Sequence, residues 1–511
     1  MLRQIATVSF GTLSSRLLGF IRDTLMASLL GTGPAADAFL FSFQLINVAR
    51  RLISEGAFNA LMVPTFLRIR ESRGGDAATQ FAGRVLGTAA TALIGVALTF
   101  ALIMPGAVSV LAPGFTDHAF RFAADTARLM LPYLAFAGPV AVIMAVLNAH
   151  GRVAWSAFSP VLFNIFLIAV TLALLASGPM DAVRSAMILA STVGVAGLAQ
   201  ASVLAFPGAR LARPVRLSTD ADVLRLLRRT FPVALAQSGP QLLVVAGAIA
   251  ASLSPGSLAS IYFANRLIEL PLGIVGIAAG TVVLTKLSDT VLRDEVGAES
   301  RTIQARAIET ALSLALPAAI GLAVLAHPIV VTLFRHGAFS ADDADRTASA
   351  LKVLAFALPA HVLTKIISPA FFAREQINWP LGATLAGLIV TTLAAIALQP
   401  RAGDLAVTAA IAAGAWFSAG VLFGRVVALT GIVVAGWLQR LALIALAATI
   451  MGALLYAMRM WAGIDRLDGF AALTIALVFL IAVGLVVYLG LLRLFGVLSV
   501  NDLLRGLRRD E

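Results

Sequence analysis

The chain has 511 residues, 60% hydrophobic and 13% charged, with a formal net charge of +12 and no cysteine. Soluble chains carry about a quarter charged residues, so a soluble globular protein is excluded, as are disulfides, thiolate metal sites and iron–sulfur clusters. The positive charge fits basic loops on the cytoplasmic side of a membrane better than a nucleic-acid surface, and no nucleic-acid partner is expected.

Apolar stretches near twenty residues, long enough to cross a bilayer as helices, recur from end to end. In chain order they predict about fourteen spans, at 4–30, 35–66, 81–108, 121–148, 155–177, 183–206, 222–252, 257–286, 306–335, 345–373, 379–399, 405–429, 437–460 and 468–495. The first lacks the short basic–apolar–small layout of a cleaved signal peptide, and the second is the least lipid-like. No sizeable soluble domain fits between them. Prolines inside the spans (Pro132, Pro139, Pro232, Pro240, Pro317, Pro359 and Pro369) permit kinks.

With the N-terminus inside and the loops alternating, 23 Lys and Arg fall in inside loops and 7 in outside loops. That bias puts both termini in the cytoplasm and supports an even number of spans. A loose internal repeat links ADAFLFSFQLI (36–46) to ASIYFANRLIE (259–269) at an offset of 223, and Trp155 to Trp379 at 224. The expected fold is therefore an all-α polytopic membrane protein. Residues 1–210 hold helices 1–6, residues 211–432 hold helices 7–12, and residues 433–511 hold two appended helices and a tail. Transporters commonly place their substrate between such repeats.

Eight basic residues lie within spans. Arg128 and Lys352 sit near helix ends, placed to snorkel, and Lys365 lies mid-span between Pro359 and Pro369, where snorkelling or a carbonyl contact fits as well as function. An arginine at a helix centre costs roughly 2.5–3.5 kcal/mol on insertion scales. Arg16, Arg22, Arg50, Arg51 and Arg266 are thus expected to face a protein interior or a wet cavity. A helix turns about 100° per residue, so Arg16, preceded by Ser15, shares a face with Asp23. Asp37, Gln44 and Arg51 lie seven apart on the second span, with Arg50 alongside and Glu55 four residues on. Asn265, Arg266 and Glu269 form a third cluster.

Two explanations compete. Asp23, Asp37, Glu55 and Glu269 would neutralise four of the five arginines if the charges only fasten helices. A polar stripe along a whole helix exceeds what fastening needs, and favours a central cavity for an anionic substrate. Arginine's planar fork suits phosphate oxygens. There is no Walker A loop, no HExxH and no carboxylate–histidine constellation, and the histidines lack metal spacing. The chain is read as a transporter without cofactor or metal. Its energy would come from the membrane potential, an ion gradient or the substrate's own gradient.

The stretch SSRLLGFIRDTLMASLLGTGPAADAFLFSFQLINVARRLISEGAFNALMVPTF (14–66) resembles the N-terminal signature of the MurJ (MviN) lipid II flippase family of the MOP superfamily. LAPGF (111–115), YFANRLIELPLGIVGIAAGTVVL (262–284), LFRHGAFSADDA (333–344) and PAFFAREQINWP (369–380) are similar in order. The resemblance implies two six-helix lobes around a central cationic cavity, plus two C-terminal helices with a groove for a polyprenyl tail. It implies that lipid II, an undecaprenyl-diphosphate-linked disaccharide-pentapeptide, moves from the inner to the outer leaflet of the bacterial cytoplasmic membrane by alternating access. Membrane lipids and the cell wall synthesis machinery are the partners it brings. The family's cavity arginines fall on Arg16, Arg22, Arg50 and Arg266, and its cavity aspartate on Asp37. The chain departs from the family at Gln44, where a lysine is common, and at Asn265, where an acid is common. The seventh, eleventh and twelfth spans hold no central aspartate for sodium. A drug exporter of the same superfamily would favour anionic or aromatic cavity residues. An O-antigen flippase would also use cations, and only the motif text separates it. A scaffold has no need of the stripe, and an enzyme would need carboxylates free of arginine.

Overall fold

The computed structural model describes residues 2–54, 57–178, 180–208, 210–273, 298–374, 376–430, 436–467 and 469–497, and every regular element among them is helical. Contacts divide the chain into two units. The first comprises Met1–Tyr262, His336–Ser340 and Ile396–Val407; the second comprises Phe263–Arg335, Ala341–Ala395 and Thr408–Glu511.

The first unit contains α1 (Leu2–Leu30), α2 (Pro34–Ser54), α3 (Ala57–Arg73), α4 (Gly75–Leu111), α5 (Asp117–Ala149), α6 (Val153–Ala176), α7 (Ala182–Gly208), α8 (Ala221–Gln237) and α9 (Gly239–Ala251). It also holds the first turns of α10 (257–273). α1 stops at Gly31, whose φ of 62° leaves the helical region while its N–H still bonds Ala27 O at 2.8 Å. Pro34 then opens α2, where its missing N–H costs nothing and its fixed φ is already helical. This tight turn sets Asp37 in the first turn of α2. α5 lies at the centre of the unit, buried on most faces and packed on α2, α4 and α7. Lipid tails are as apolar as leucine, so shape and polar clasps must hold such helices together. One clasp joins Ser42 Oγ to Ala123 O (2.7 Å) and Thr126 Oγ1 to Ser42 Oγ (3.0 Å), fixing α2 on α5. Phe66, Met62, Val85, Val142 and Val223 close a core between α3, α4, α5 and α8. The connection at 213–216 lies against Gly83 and Gly87 of α4, where a Cβ would run into its backbone.

The second unit contains the rest of α10, α11 (Ala298–Val324), α12 (Ala326–Phe334), α13 (Ala341–Leu354), α14 (Ala357–Ala373), most of α15 (Asn378–Thr430), α16 (Trp437–Trp461) and α17 (Phe470–Leu494). α16 and α17 pair through Met451, Leu455, Leu480 and Tyr488. Tyr488 Oη donates to Ser313 O at 2.6 Å, tying the pair to α11.

Eight of the described helices are long and apolar enough to cross a membrane, or ten when two bent pairs each make one span. The chain is a multi-pass membrane protein. α1 and α2, which carry the intramembrane charges, are not among the eight. Several predicted spans are not single rods. The second is α2 followed by α3, which runs on to Arg73. The seventh is α8 and α9, bent by 68°, and the tenth is α13 and α14, bent by 48°. The ninth is α11 and α12. The breaks near Ser238, Leu325 and Phe356 each fall two to three residues before Pro240, Pro328 or Pro359. A proline ring clashes with the carbonyl four residues earlier and donates no hydrogen bond. The eleventh and twelfth spans are two helices that meet at a kink at Gly403, whose φ of 53° and ψ of −132° are not helical. The second halves of the eighth span (274–286) and of the C-terminal tail lie outside the described residues.

Gly87→Ala is expected to lower stability by about 1–3 kcal/mol, as overpacking does, read as thermal unfolding of the detergent-purified chain. Gly95→Ala, on the same helix with open space around it, should be neutral or slightly stabilising.

Candidate functional site

The α1 motif is enclosed. Arg22 is 4% exposed and Asp23 fully buried. Arg22 donates to Asp23 Oδ1 from Nε (2.9 Å) and Nη2 (2.7 Å), and from Nη1 to Asn164 Oδ1 on α6 (2.9 Å). Its guanidinium carbon stands 4.9 Å from the Phe43 ring centre and 5.7 Å from that of Phe163. Tyr262 Oη donates to Asp23 Oδ1 at 3.2 Å, and Asn164 Nδ2 donates to the carbonyl of Ser15 at 2.9 Å. Every face of this guanidinium meets a carboxylate, an amide oxygen or an aromatic ring. Ser15 and Arg16, on the same helix, are half-buried.

The α2 stripe does three different things. At its N-terminal end Asp37 is 3% exposed and accepts from the backbone N–H groups of Gly256 (2.6 Å) and Ala259 (2.8 Å). It caps α10 from a separate helix, and a carboxylate there meets the positive end of the helix dipole. Midway, Gln44 is half-buried, as are Arg50 and Arg51 beyond it. With the Gln241 amide oriented to satisfy both its ends, its oxygen accepts from Arg51 Nη1 at 2.7 Å and its nitrogen donates to Ser238 O at 3.2 Å. Glu55 lies outside the described residues.

More contacts gather at the same end of the first unit. Ala338 N bonds Ser28 O at 2.8 Å, and Gly114 N bonds Ser252 Oγ at 3.0 Å. Gln399 Nε2 reaches Ser254 Oγ at 3.4 Å. The ends of α1, α2, α9 and α10 and the connections at 112–116, 336–340 and 396–407 thus close on one another.

In the second unit Arg266 pairs with Glu269 one turn on, and both are half-buried beside a half-buried Asn265. Lys365 is exposed on α14. The sequence reasoning passed over Asn164, Tyr262 and Gln241. Asn164 left a signal, a lone amide in a span that is otherwise apolar; Tyr262 and Gln241 left none. Among the described residues no group of three or more His, Cys, Asp or Glu is placed to hold a metal ion.

A family model described as lipid II flippase MurJ matches residues 26–490. The chain belongs to this family. The "Probable lipid II flippase MurJ" of Rhizobium meliloti (strain 1021) is 35% identical over 530 residues, covering 100% of this chain and 96% of its own length. The "Lipid II flippase MurJ" of Burkholderia cenocepacia is 31% identical, covering 83% of each. Among solved structures, a lipid II flippase MurJ in an inward closed conformation superposes with a TM-score of 0.78 at 21% identity, over 96% of this chain and 98% of that one. An inward-facing multidrug resistance MATE transporter of the MOP superfamily gives 0.65 at 19% identity, over 82% and 95%. The fold is that of the MOP superfamily.

Asp23→Ala would strand Arg22 in a buried site, and the expected loss of stability is about 3–5 kcal/mol. Asn164→Ala should cost less, about 1–3 kcal/mol. Unfolding of the two single variants and the double variant should show strong coupling, since both act on one guanidinium.

Proposed function

We propose that this chain carries lipid II from the inner to the outer leaflet of a bacterial cytoplasmic membrane by alternating access, with both termini in the cytoplasm, and so supplies cell wall synthesis. The family match over residues 26–490 carries this proposal. The chemistry of the intramembrane arginines supports it. A lipid-linked diphosphate needs cations at membrane depth, and arginine gives it paired, fork-shaped donors. Arg16, Arg50 and Arg51 on α1 and α2 and Arg266 on α10 are only half-buried, so their charge is within reach of a ligand. Arg22 is held by Asp23 and Asn164 here. It joins the phosphate-binding set in a state where that enclosure opens.

The closed outer side of the first unit supports access from the cytoplasmic leaflet in this state. Asp37 acts as a gate residue: the cap on α10 must break before the outer ends separate. Glu55 and Glu269 are the acids that exchange arginine partners during the cycle, with Ser15, Gln44 and Asn265 as polar neighbours. The groove for the polyprenyl tail is assigned to the pair α16 and α17. Residues 1–210 and 211–432 act as the two repeats. No cofactor is needed and no ATP is hydrolysed; the membrane potential or an ion gradient drives the cycle. Membrane lipids surround the chain, and cell wall synthases receive its product.

Arg16→Ala and Arg266→Ala are each expected to insert normally yet to lose at least tenfold in lipid II translocation. The measurement is accessibility of labelled lipid II in proteoliposomes, run with and without an imposed potential, alongside complementation of cells depleted of their own flippase. Full complementation by Arg16→Ala would overturn the assignment.

Asp37→Ala should leave lipid II binding in place but raise labelling of a cysteine introduced at Ser257 from the outer side. Unchanged labelling would remove Asp37 from the gate.

A further inference from the structure

The outer end of the second unit holds an open cleft of about 470 Å3, lined by none of the arginines or acids assigned to ligand binding or gating. Its walls include Val324 at the end of α11, Lys352 on α13, Phe356 between α13 and α14, and Tyr456, Arg459 and Met460 near the end of α16. By the charge bias, the connection that follows α16, at 462–467, faces outward.

Two properties of this cleft point to one kind of ligand. The first is its level in the membrane. Phe356, Tyr456 and Met460 are 61%, 55% and 57% exposed, and the neighbouring Trp461 is 92% exposed. Exposed aromatic residues at a helix end mark the headgroup level of a bilayer. The second is its charge. Arg459 is already engaged: Nη2 meets Asp465 Oδ2 at 2.8 Å and Nη1 donates to Val324 O at 2.6 Å. Lys352 is exposed and takes part in none of the ion pairs among the described residues. Its side chain lines the cleft, and a lysine at this level of a membrane rests its apolar stem on the protein while its ammonium reaches the headgroups. Phe356 is also the N-cap of the 17-residue α14 and supplies no side-chain cap.

We propose that this cleft binds the phosphate of an outer-leaflet glycerophospholipid, with Lys352 as its counter-ion and Phe356, Tyr456 and Met460 against its upper acyl carbons. One free ammonium matches the single negative charge of a phosphodiester headgroup. A lipid diphosphate carries more charge than the cleft has left to meet it, so the occupant is a structural lipid and not the transported one. The bound lipid fills the angle where α11 and α13 both break, and so braces these breaks against α16.

The test is native mass spectrometry of the full-length purified chain titrated with phosphatidylglycerol. Lys352→Gln is expected to lower the most tightly retained phosphatidylglycerol about fivefold, the size of effect one basic residue has at an anionic surface. Lys352→Arg should restore it, and both variants should bind labelled lipid II as the parent does. Equal phosphatidylglycerol retention by Lys352→Gln and the parent overturns the proposal. Loss of lipid II binding in Lys352→Gln, with phosphatidylglycerol unchanged, also overturns it and places the cleft on the transport route. Lys352 is exposed, so both variants should fold; a matching size-exclusion profile and thermal midpoint confirm it.

Discussion

A guanidinium in the hydrocarbon of a bilayer has to bring its counter-charges and hydrogen-bond acceptors with it, because the lipid offers none. Much of the first unit follows from that single demand at Arg22. Asp23 supplies the charge, Asn164 supplies an oxygen from α6, and Phe43 and Phe163 supply ring faces. Tyr262 takes up remaining acceptor capacity on Asp23. These groups come from four elements, so satisfying one side chain draws α1, α2, α6 and α10 into a fixed arrangement. One of the five arginines read as facing a ligand cavity is, in this state, the one that organises the helices. Arg16, Arg50, Arg51 and Arg266 are enclosed less completely and keep part of their surface open. Binding and fastening are therefore two degrees of the same satisfaction, and a transport cycle can move an arginine from one to the other.

Backbone groups obey the same rule. A helix that begins inside the membrane exposes N–H groups without partners. At α10 two of them are taken by Asp37, a carboxylate supplied by α2. A cap supplied from another helix is conditional: it lasts only while the two elements stay together. This suits a gate better than a local cap would, since separating the helices leaves both a buried carboxylate and bare N–H donors behind. The breaks before Pro240, Pro328 and Pro359 create further helix ends within spans, and one of these, at Phe356, borders the cleft that Lys352 charges.

The class of fold was readable because lipid imposes a length and a composition on every spanning helix, and the apolar stretches are long enough to show both. The breaks were harder. Pro240 and Pro359 coincide with bends, whereas Pro132, Pro139 and Pro317 lie inside continuous helices. A proline removes one hydrogen bond wherever it stands; whether the helix then bends depends on what neighbours restore.

For the candidate site, sequence periodicity by itself determined that the charges of α1 and α2 are grouped in stripes, because helical geometry fixes which positions share a face. The motif text determined the family, because that match is long and ordered. Only the tertiary structure decided that Arg22 is closed off while Arg16 stays half-open, and that Asp37 spends its two oxygens on backbone N–H groups of α10. Asn164 lies 142 residues from Arg22 and Gly256 lies 219 from Asp37. Periodicity reaches across a few turns of one helix. The satisfaction of a buried charge depends on whichever helix packing brings within three ångströms of it, and that partner is recorded nowhere near it in the chain.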